Sequence, residues 1–174
     1  MRIEKEIISK IERDYLFIIA NLDLDSKYFI DKINEDIISN NNLNYKTNVV
    51  GKQTSWNLFN SDEKFKNIII SVFDYLDNIK NIQKYRLESV WGIKEDKGDY
   101  TRIHDHLPSF LSGIIYLNKH PQKLYLPEIN QEITPDCGKL ILFSSFLKHY
   151  TKRNSVDNGK YAIAFNINYN RVLD

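Results

Sequence analysis

Two of the four histidines in the chain, His104 and His106, stand two residues apart in the stretch TRIHDHLPSFLSGIIYLN, which covers residues 101–118. In a β-strand, residues i and i+2 point to the same face. An extended chain would therefore present both imidazoles on one side and Asp105 on the other. Neutral imidazole is a ligand for iron, copper, nickel and zinc. The pair indicates a metal site on one face of a sheet.

A third histidine, His149, comes directly after the apolar run GKLILFSSFLK, residues 138–148. Two histidines from one strand and one from a distant strand would supply three ligands on one side of an ion, which leaves positions for a substrate and for oxygen. The alternative for each of them is a hydrogen-bonded core histidine without a metal. We interpret His120, in the polar stretch NKHPQK, as a surface residue.

Composition excludes several other functions. The chain has 174 residues, 42% of them apolar and 27% charged, which is ordinary for one globular domain. The formal net charge is +1 and no run of Lys and Arg stands out, so we expect no nucleic-acid partner and no membrane partner. The single cysteine, Cys137, excludes an intrachain disulfide and a zinc site built on several thiolates.

The N-terminal stretch MRIEKEIISKIERD is charged throughout and has no signal-peptide core. The longest apolar runs, such as YLFIIANL, are too short to cross a bilayer. We therefore expect a soluble, cytoplasmic protein.

Helices are predicted in the first half of the chain, over residues 26–40 and from about 61 to 80. Asn60 or Ser61 would cap the second helix. Its apolar side chains recur at helical spacing, at Phe65, Ile69, Val72 and Leu76. A helix this amphipathic needs a sheet to lie on.

After residue 84 the apolar period changes to two. The predicted strands cover residues 85–93, 102–107, 111–117, 123–126, 138–145 and 160–169. This succession favours a mainly β fold, a sandwich or barrel with the N-terminal helices packed on one sheet. We expect one domain over 1–174, with a helix-rich portion at 1–84 and a β core at 85–170 that carries the site.

Three segments in this order resemble the iron(II)- and 2-oxoglutarate-dependent oxygenases: GDYTRIHDHLPSFLSGIIYLN, ITPDCGKLILFSSFLKHYTKRN and KYAIAFNINY. The similarity is to small bacterial and phage members of the prolyl-hydroxylase-like branch. It implies a double-stranded β-helix, a jelly roll of the cupin-like type. It also implies an enzyme that uses Fe(II), 2-oxoglutarate and O2 to hydroxylate a C–H bond. An amino acid, a peptide and a small metabolite all stay open as the substrate.

The resemblance assigns roles to particular residues. His104 takes the first metal-ligand position and His149 the last, and Lys160 falls where the family keeps a basic residue that binds the far carboxylate of 2-oxoglutarate. The family's usual carboxylate ligand, two residues after the first histidine, is replaced here by His106. Either three histidines bind the metal, or His106 only supports the site and water completes it. We expect three histidines.

A second departure from the family is Ala162, which stands where many members have a hydroxyl that assists the basic residue. Tyr100, Tyr116 or Ser144 would supply that hydroxyl instead. The aromatic side chains of Trp56, Trp91 and Phe110 are candidates for the lining of the pocket, and packing in the core is the alternative for each.

Two other functions fit parts of this pattern. One is a metal cupin, such as a thiol dioxygenase with a three-histidine site, because Gly98, His104 and His106 match the opening of a cupin motif. Against it, the stretch LPSFLSG lacks the acid that this motif places next. The other is a non-catalytic jelly-roll module for binding or structure, in which the histidines would only pack.

Overall fold

The computed structural model describes residues 13–39, 47–80 and 85–170, and within them it contains two helices and eleven strands. The helices are α1 (Ser26–Ser39) and α2 (Glu63–Lys80). The strands are β1 (Phe17–Asn21), β2 (Val49–Val50), β3 (Lys52–Gln53), β4 (Tyr85–Glu95), β5 (Tyr100–Thr101), β6 (Leu111–Tyr116), β7 (Leu124–Leu126), β8 (Gln131–Ile133), β9 (Lys139–Ser144), β10 (Tyr150–Thr151) and β11 (Lys160–Tyr169).

Two antiparallel layers face each other. The main sheet has the order β1-β9-β6-β11-β4-β3, and the second layer consists of β10-β7-β8 and of β2-β5. The two pieces of the second layer are joined where the Thr101 amide donates to the Thr151 hydroxyl at 2.7 Å. The predicted mainly β jelly roll is therefore confirmed.

The helices cover the outer face of the main sheet, as predicted. Their buried side chains meet the side chains of β11 that point outward, in a core that includes Phe29, Ile33, Phe65, Ile69, Leu76, Ile163, Phe165 and Ile167. Helix α1 packs directly on the sheet at Gly92 of β4, where an added Cβ would lie 2.3 Å from Ile33 Cγ1. No helix in the described part of the chain is both long enough and apolar enough to span a membrane.

The cap of α2 differs from the prediction. Asp62, directly before the helix, accepts a hydrogen bond from the Phe65 amide at 3.0 Å. Asn60 instead pairs its side chain with that of Asn57. The prediction of Asn60 or Ser61 was wrong because the helix begins at Glu63, and only the residue before the first turn can reach those free amides.

The predicted strand over residues 102–107 was also wrong. This stretch forms only one isolated bridge, between His104 and His149. The Arg102 and His106 amides donate to the Asn48 and Ser145 carbonyls outside any strand pairing. The Leu107 amide donates to Asp105 Oδ1 and the Ser109 amide to the His106 carbonyl, which closes local turns. The remaining predicted strands coincide with β4, β6, β7, β9 and β11 to within a few residues.

Candidate metal centre

A cavity of about 150 Å³ lies between the two layers and opens beside the His104–His149 bridge. Small side chains on the inner face of β11, Ala162 and Ala164, leave this space in the sandwich. Most of the cavity wall is formed by apolar side chains, with a smaller number of polar side chains among them. The groups that could carry chemistry are His104, Asp105, His106, His149, Glu95 and Lys160. The expectation that Asp105 faces away from the two histidines was wrong, because it lines the same cavity.

The backbone fixes His104 and His149 opposite each other. The His104 amide donates to the His149 carbonyl at 3.1 Å, and the His149 amide donates to the His104 carbonyl at 2.9 Å. His106 is held by its own amide, which donates to the Ser145 carbonyl at 2.8 Å. Main-chain hydrogen bonds therefore tie two segments that are distant in sequence, one with His104 and His106 and one with His149, to the same edge of the sandwich.

Hydrogen bonds also orient two of the imidazole rings. His104 Nδ1 lies 2.7 Å from the Arg102 carbonyl oxygen, and His149 Nδ1 lies 3.3 Å from the Leu147 carbonyl oxygen. A carbonyl can only accept, so in each ring Nδ1 carries the hydrogen and Nε2 keeps its lone pair. This is the state in which histidine binds a metal through Nε2.

The three rings form one cluster. Each offers a ligand atom such that all three atoms lie within 4.8 Å of one another, and ring centroids are 4.3 to 5.0 Å apart. Histidine nitrogens bind a divalent transition-metal ion at about 2.0–2.1 Å, so two nitrogens on one ion are at most about 4.2 Å apart. The ligand atoms here lie within 4.8 Å of one another, so small side-chain rotations would bring them to that separation. The donor set fits a divalent transition metal.

Burial keeps the cluster uncharged. It lowers the pKa of His106 to about 4, with a further contribution from the neighbouring His104. It also lowers the pKa of His104 and, more strongly, that of His149. Neutral rings at pH 7 leave their lone pairs available to a metal.

Lys160 lies inside the cavity wall, 2% exposed, and forms an ion pair with Glu95, which is 1% exposed. The two residues are cross-strand partners in β11 and β4. Burial lowers the pKa of Lys160, and the Glu95 carboxylate opposes this by favouring the charged ammonium. Glu95 was not predicted from the sequence.

Two threonines hold Glu95 in place. The hydroxyls of Thr101 and Thr151 both donate to Glu95 Oε1, at 2.9 and 3.2 Å. The sequence gives no signal for this group, because Glu95 stands before the polar stretch DKGDY and reads as a solvated residue at the end of a strand.

The three hydroxyls proposed to assist Lys160 lie in different places. Tyr116 is opposite Ala162 in the strand register, on the cavity side of the sheet. Its hydroxyl is buried without a hydrogen-bond partner among the described residues. Burial and the nearby Glu95 carboxylate raise the pKa of Tyr116.

The other two hydroxyls are not brought to the histidine cavity. Ser144 accepts a hydrogen bond from the Leu16 amide at 2.9 Å on the opposite face of β9 from Phe143. Tyr100 packs its ring against the Arg153 guanidinium. Strand alternation explains both placements, because the neighbours Phe143 and Thr101 are the residues that face the cavity.

Of the aromatic residues predicted as candidates for the pocket lining, two line the cavity and one lies outside it. Trp56 and Trp91 line the cavity, with ring centroids 4.7 Å apart. Phe110 lies outside it, against Tyr169. His120 is 1% exposed, so its interpretation as a surface residue was wrong.

Comparisons with known proteins agree with this architecture. No protein-family model matches the chain, and no curated protein matches its sequence. Among solved structures, the viral collagen prolyl hydroxylase of Paramecium bursaria Chlorella virus-1, in complex with 2-oxoglutarate, superposes with a TM-score of 0.68. The identity is 19%, over 87% of this chain and 94% of that chain.

Two further neighbours have the same architecture. A prolyl-4-hydroxylase of Pseudomonas putida has a TM-score of 0.65 at 12% identity, over 89% of this chain and 93% of that chain. HygX of Streptomyces hygroscopicus, with nickel, 2-oxoglutarate and hygromycin B bound, has a TM-score of 0.63 at 11% identity, over 88% and 82%. The chain thus has the fold of the 2-oxoglutarate-dependent oxygenases. More particularly, prolyl hydroxylases stand among its structural neighbours, which confirms the resemblance at the level of the fold.

Proposed function

We propose that this protein is an Fe(II)- and 2-oxoglutarate-dependent oxygenase that hydroxylates a C–H bond of an amino acid, a peptide or a small metabolite. The observation that carries the proposal is the convergence of His104, His106 and His149 on one cavity of an oxygenase fold. Neighbours of this fold were crystallised with 2-oxoglutarate and with iron or nickel. The three uncharged imidazoles fit the same kind of ion.

His104, His106 and His149 would hold the iron, and Lys160 would bind the far carboxylate of 2-oxoglutarate. Bound iron supplies the oxidation: O2 converts 2-oxoglutarate to succinate and CO2, and one oxygen atom is inserted into a C–H bond of the substrate. The tasks of the chain are to orient these groups and to exclude water.

Unpaired donors at the site support an oxygen-rich ligand. Trp91 Nε1 is buried in the cavity wall and, among the described residues, has no hydrogen-bond partner. The Tyr116 hydroxyl is in the same state on the same side of the sheet. A buried donor without an acceptor costs about 1–3 kcal/mol, and carboxylate oxygens would remove that cost.

One observation favours a second candidate, a three-histidine dioxygenase of the thiol dioxygenase kind, in which the substrate binds directly to the metal. Lys160 already has a carboxylate partner in Glu95, so it is not a free cation awaiting 2-oxoglutarate. The two functions differ in one product, because only the first forms succinate.

The test is reconstitution with Fe(II) without oxygen, followed by exposure to O2 with 2-oxoglutarate as the only organic substrate. Slow formation of succinate is expected from the wild type. His104→Ala and His149→Ala should each lower metal affinity by more than about 100-fold, since even the loss of a residue that only supports a ligand costs 10- to 100-fold. His106→Asp, which restores the usual carboxylate, should still bind iron.

His120→Gln is the matched control for metal binding, because it removes a buried histidine outside the cluster and should leave metal affinity unchanged. Stoichiometric iron without succinate would favour the thiol dioxygenase. Absence of stoichiometric metal in the wild type would favour a binding module without catalysis.

A further inference from the structure

We propose that Glu95 is a specificity-determining residue of the cosubstrate site: it neutralises Lys160 and thereby weakens the selection for a second carboxylate on the 2-oxo acid. This rests on the proposed function, since it concerns the ligand of the same cavity. Lys160 and Glu95 are cross-strand partners in β11 and β4 and form an ion pair. Their side chains are 2% and 1% exposed, so water screens neither charge.

Contacts to both carboxylate oxygens fix Glu95 in the cavity wall. One carboxylate oxygen meets the Lys160 ammonium, and the other accepts hydrogen bonds from the Thr101 and Thr151 hydroxyls. The Asn154 side chain also donates to the Glu95 carbonyl, which fixes the backbone at this point. Both carboxylate oxygens are occupied, so the group has no need to leave when a ligand enters.

The charges of this site are distributed differently from those of a site with two histidines and one carboxylate, whose ligands bring one negative charge to the ion. Here the three imidazoles bring none, and Glu95 places a negative charge beside Lys160. Asp105 also lines the cavity, next to His104 and His106, but it is not one of the three clustered ligands.

The distribution decides which end of the cosubstrate is recognised. At the metal end, the ion with neutral ligands attracts the 2-oxo carboxylate more strongly than an ion with an acidic ligand would. At the far end, the Lys160–Glu95 pair has no net charge to offer. Affinity should therefore depend mainly on the 2-oxo acid group, and 2-oxo acids without a second carboxylate should bind almost as well as 2-oxoglutarate.

The test compares two ligands by calorimetry on Mn(II)-loaded protein without oxygen, so that no turnover takes place. The ligands are 2-oxoglutarate and 2-oxopentanoate, which has a methyl group in place of the far carboxylate. For the wild type, the two Kd values should agree within about tenfold. For Glu95→Gln, the preference for 2-oxoglutarate should increase by roughly tenfold to hundredfold, the value of a hydrogen bond between charged groups.

Glu95→Asp is the matched control, because it keeps the charge and should keep the preference of the wild type. Glu95→Gln leaves a buried ammonium without its partner, so a variant that does not fold is replaced by the neutral double variant Glu95→Gln/Lys160→Met. If the Lys160–Glu95 pair contributes no net charge to the site, the ratio of the Kd values for the two acids should be the same in the double variant and in the wild type, to within about threefold. A preference for 2-oxoglutarate that collapses there would show Lys160 acting as a free cation and would overturn the inference.

The inference and the proposed function fail in different ways. An unchanged preference in a folded Glu95→Gln protein refutes the role of Glu95 while both acids still bind. Failure of the metal-loaded wild type to bind either acid refutes the proposed function itself.

Discussion

The four histidines all have a pKa below the ordinary value, and burial is the first cause in each. The hydrogen bonds of the rings nevertheless distinguish His104 and His149 from His120. His104 and His149 place Nδ1 against a carbonyl and keep the Nε2 lone pair. His120 accepts the Gln122 amide at Nδ1 and donates from Nε2 to the Asn158 carbonyl, so it has no lone pair to offer a metal. Burial alone therefore does not identify a ligand; the ring hydrogen bonds separate His104 and His149 from His120, and His106 is placed with them by the cluster geometry.

A pH dependence follows for His120. Because its folded-state pKa lies below 6.5, the unfolded chain binds a proton that the folded protein refuses as the pH falls through about 6.5. The free energy of unfolding therefore decreases toward acid. His120→Gln should cost about 1 kcal/mol at pH 7.5, through weakened hydrogen bonds, and should reduce the loss of stability between about pH 7.5 and 5.5. Urea titrations of the metal-free wild type and of His120→Gln, at both pH values, measure the free energy of unfolding. An equal decrease of that free energy toward acid in the two proteins would contradict the expectation.

Sequence spacing was enough to group the histidines but not to find their charged neighbour. The i, i+2 spacing brought His104 and His106 together, and the position of His149 directly after a later predicted strand added the third histidine, to which the family resemblance then assigned the last ligand position. Glu95 could not be found in this way, because its importance comes from its register partner, Lys160, in a strand far along the chain. The sequence could not show on which face of its strand Ser144 lies. In the structure, Phe143 points into the cavity and the Ser144 hydroxyl lies on the opposite face of β9.

Long strands were predictable, and strands of two residues were not. Strands β4, β6, β9 and β11 have enough alternation to be recognised. Strands β2, β5 and β10 have two residues each, too few to establish a period, yet they build the layer that closes the cavity. The stretch 102–107 was assigned to a strand and is not one. His104 and His106 do line the same cavity, as predicted, but Asp105 lines it too, so the alternation of a regular strand does not hold here.

At the level of element packing, Gly92 should be intolerant of a side chain because α1 rests directly on β4. An added Cβ would be 2.3 and 2.8 Å from Cγ1 and Cδ1 of Ile33, which is fully buried. Gly92→Ala should cost about 1–3 kcal/mol by overpacking. Ile33→Ala alone should cost about 2–5 kcal/mol.

The double variant Gly92→Ala/Ile33→Ala should be more stable than the sum of the single changes implies, by about 0.5–3 kcal/mol, because the added methyl group enters the vacated space. Denaturant unfolding of the four proteins measures this coupling. Gly159→Ala is the control, since its Cβ would first meet the side-chain oxygen of Asp96, at 3.1 Å. Strict additivity of the two changes would show that the helix does not rest on Gly92.

For the whole molecule, a metal ion would join segments that the chain keeps far apart. His104 and His106 precede β6, and His149 precedes β10, so an ion bound by all three closes the sandwich at one edge. At a free Mn(II) concentration of about 100 times Kd, binding should stabilise the fold by about 2.7 kcal/mol. For a chain of this length that corresponds to a rise in Tm of roughly 5–10 °C.

Thermal unfolding with and without Mn(II) measures the rise, and an excess of chelator should reverse it. A variant with all three cluster histidines changed to Ala provides the baseline and should show no response. A Tm that moves equally in both proteins would mean that the ion acts elsewhere. The organisation of residues 1–174 as one domain, with a β core at 85–170 that carries the site, stays a prediction.

The placement of Trp56 and Trp91 on one cavity wall has a practical consequence, because these are the two tryptophans of the entire chain. All indole emission from the protein therefore originates within a few ångströms of where a guest would sit. Quenching by a paramagnetic ion or by a bound molecule would act on the entire tryptophan fluorescence. Fluorescence titration would therefore measure occupancy of the cavity without an attached label.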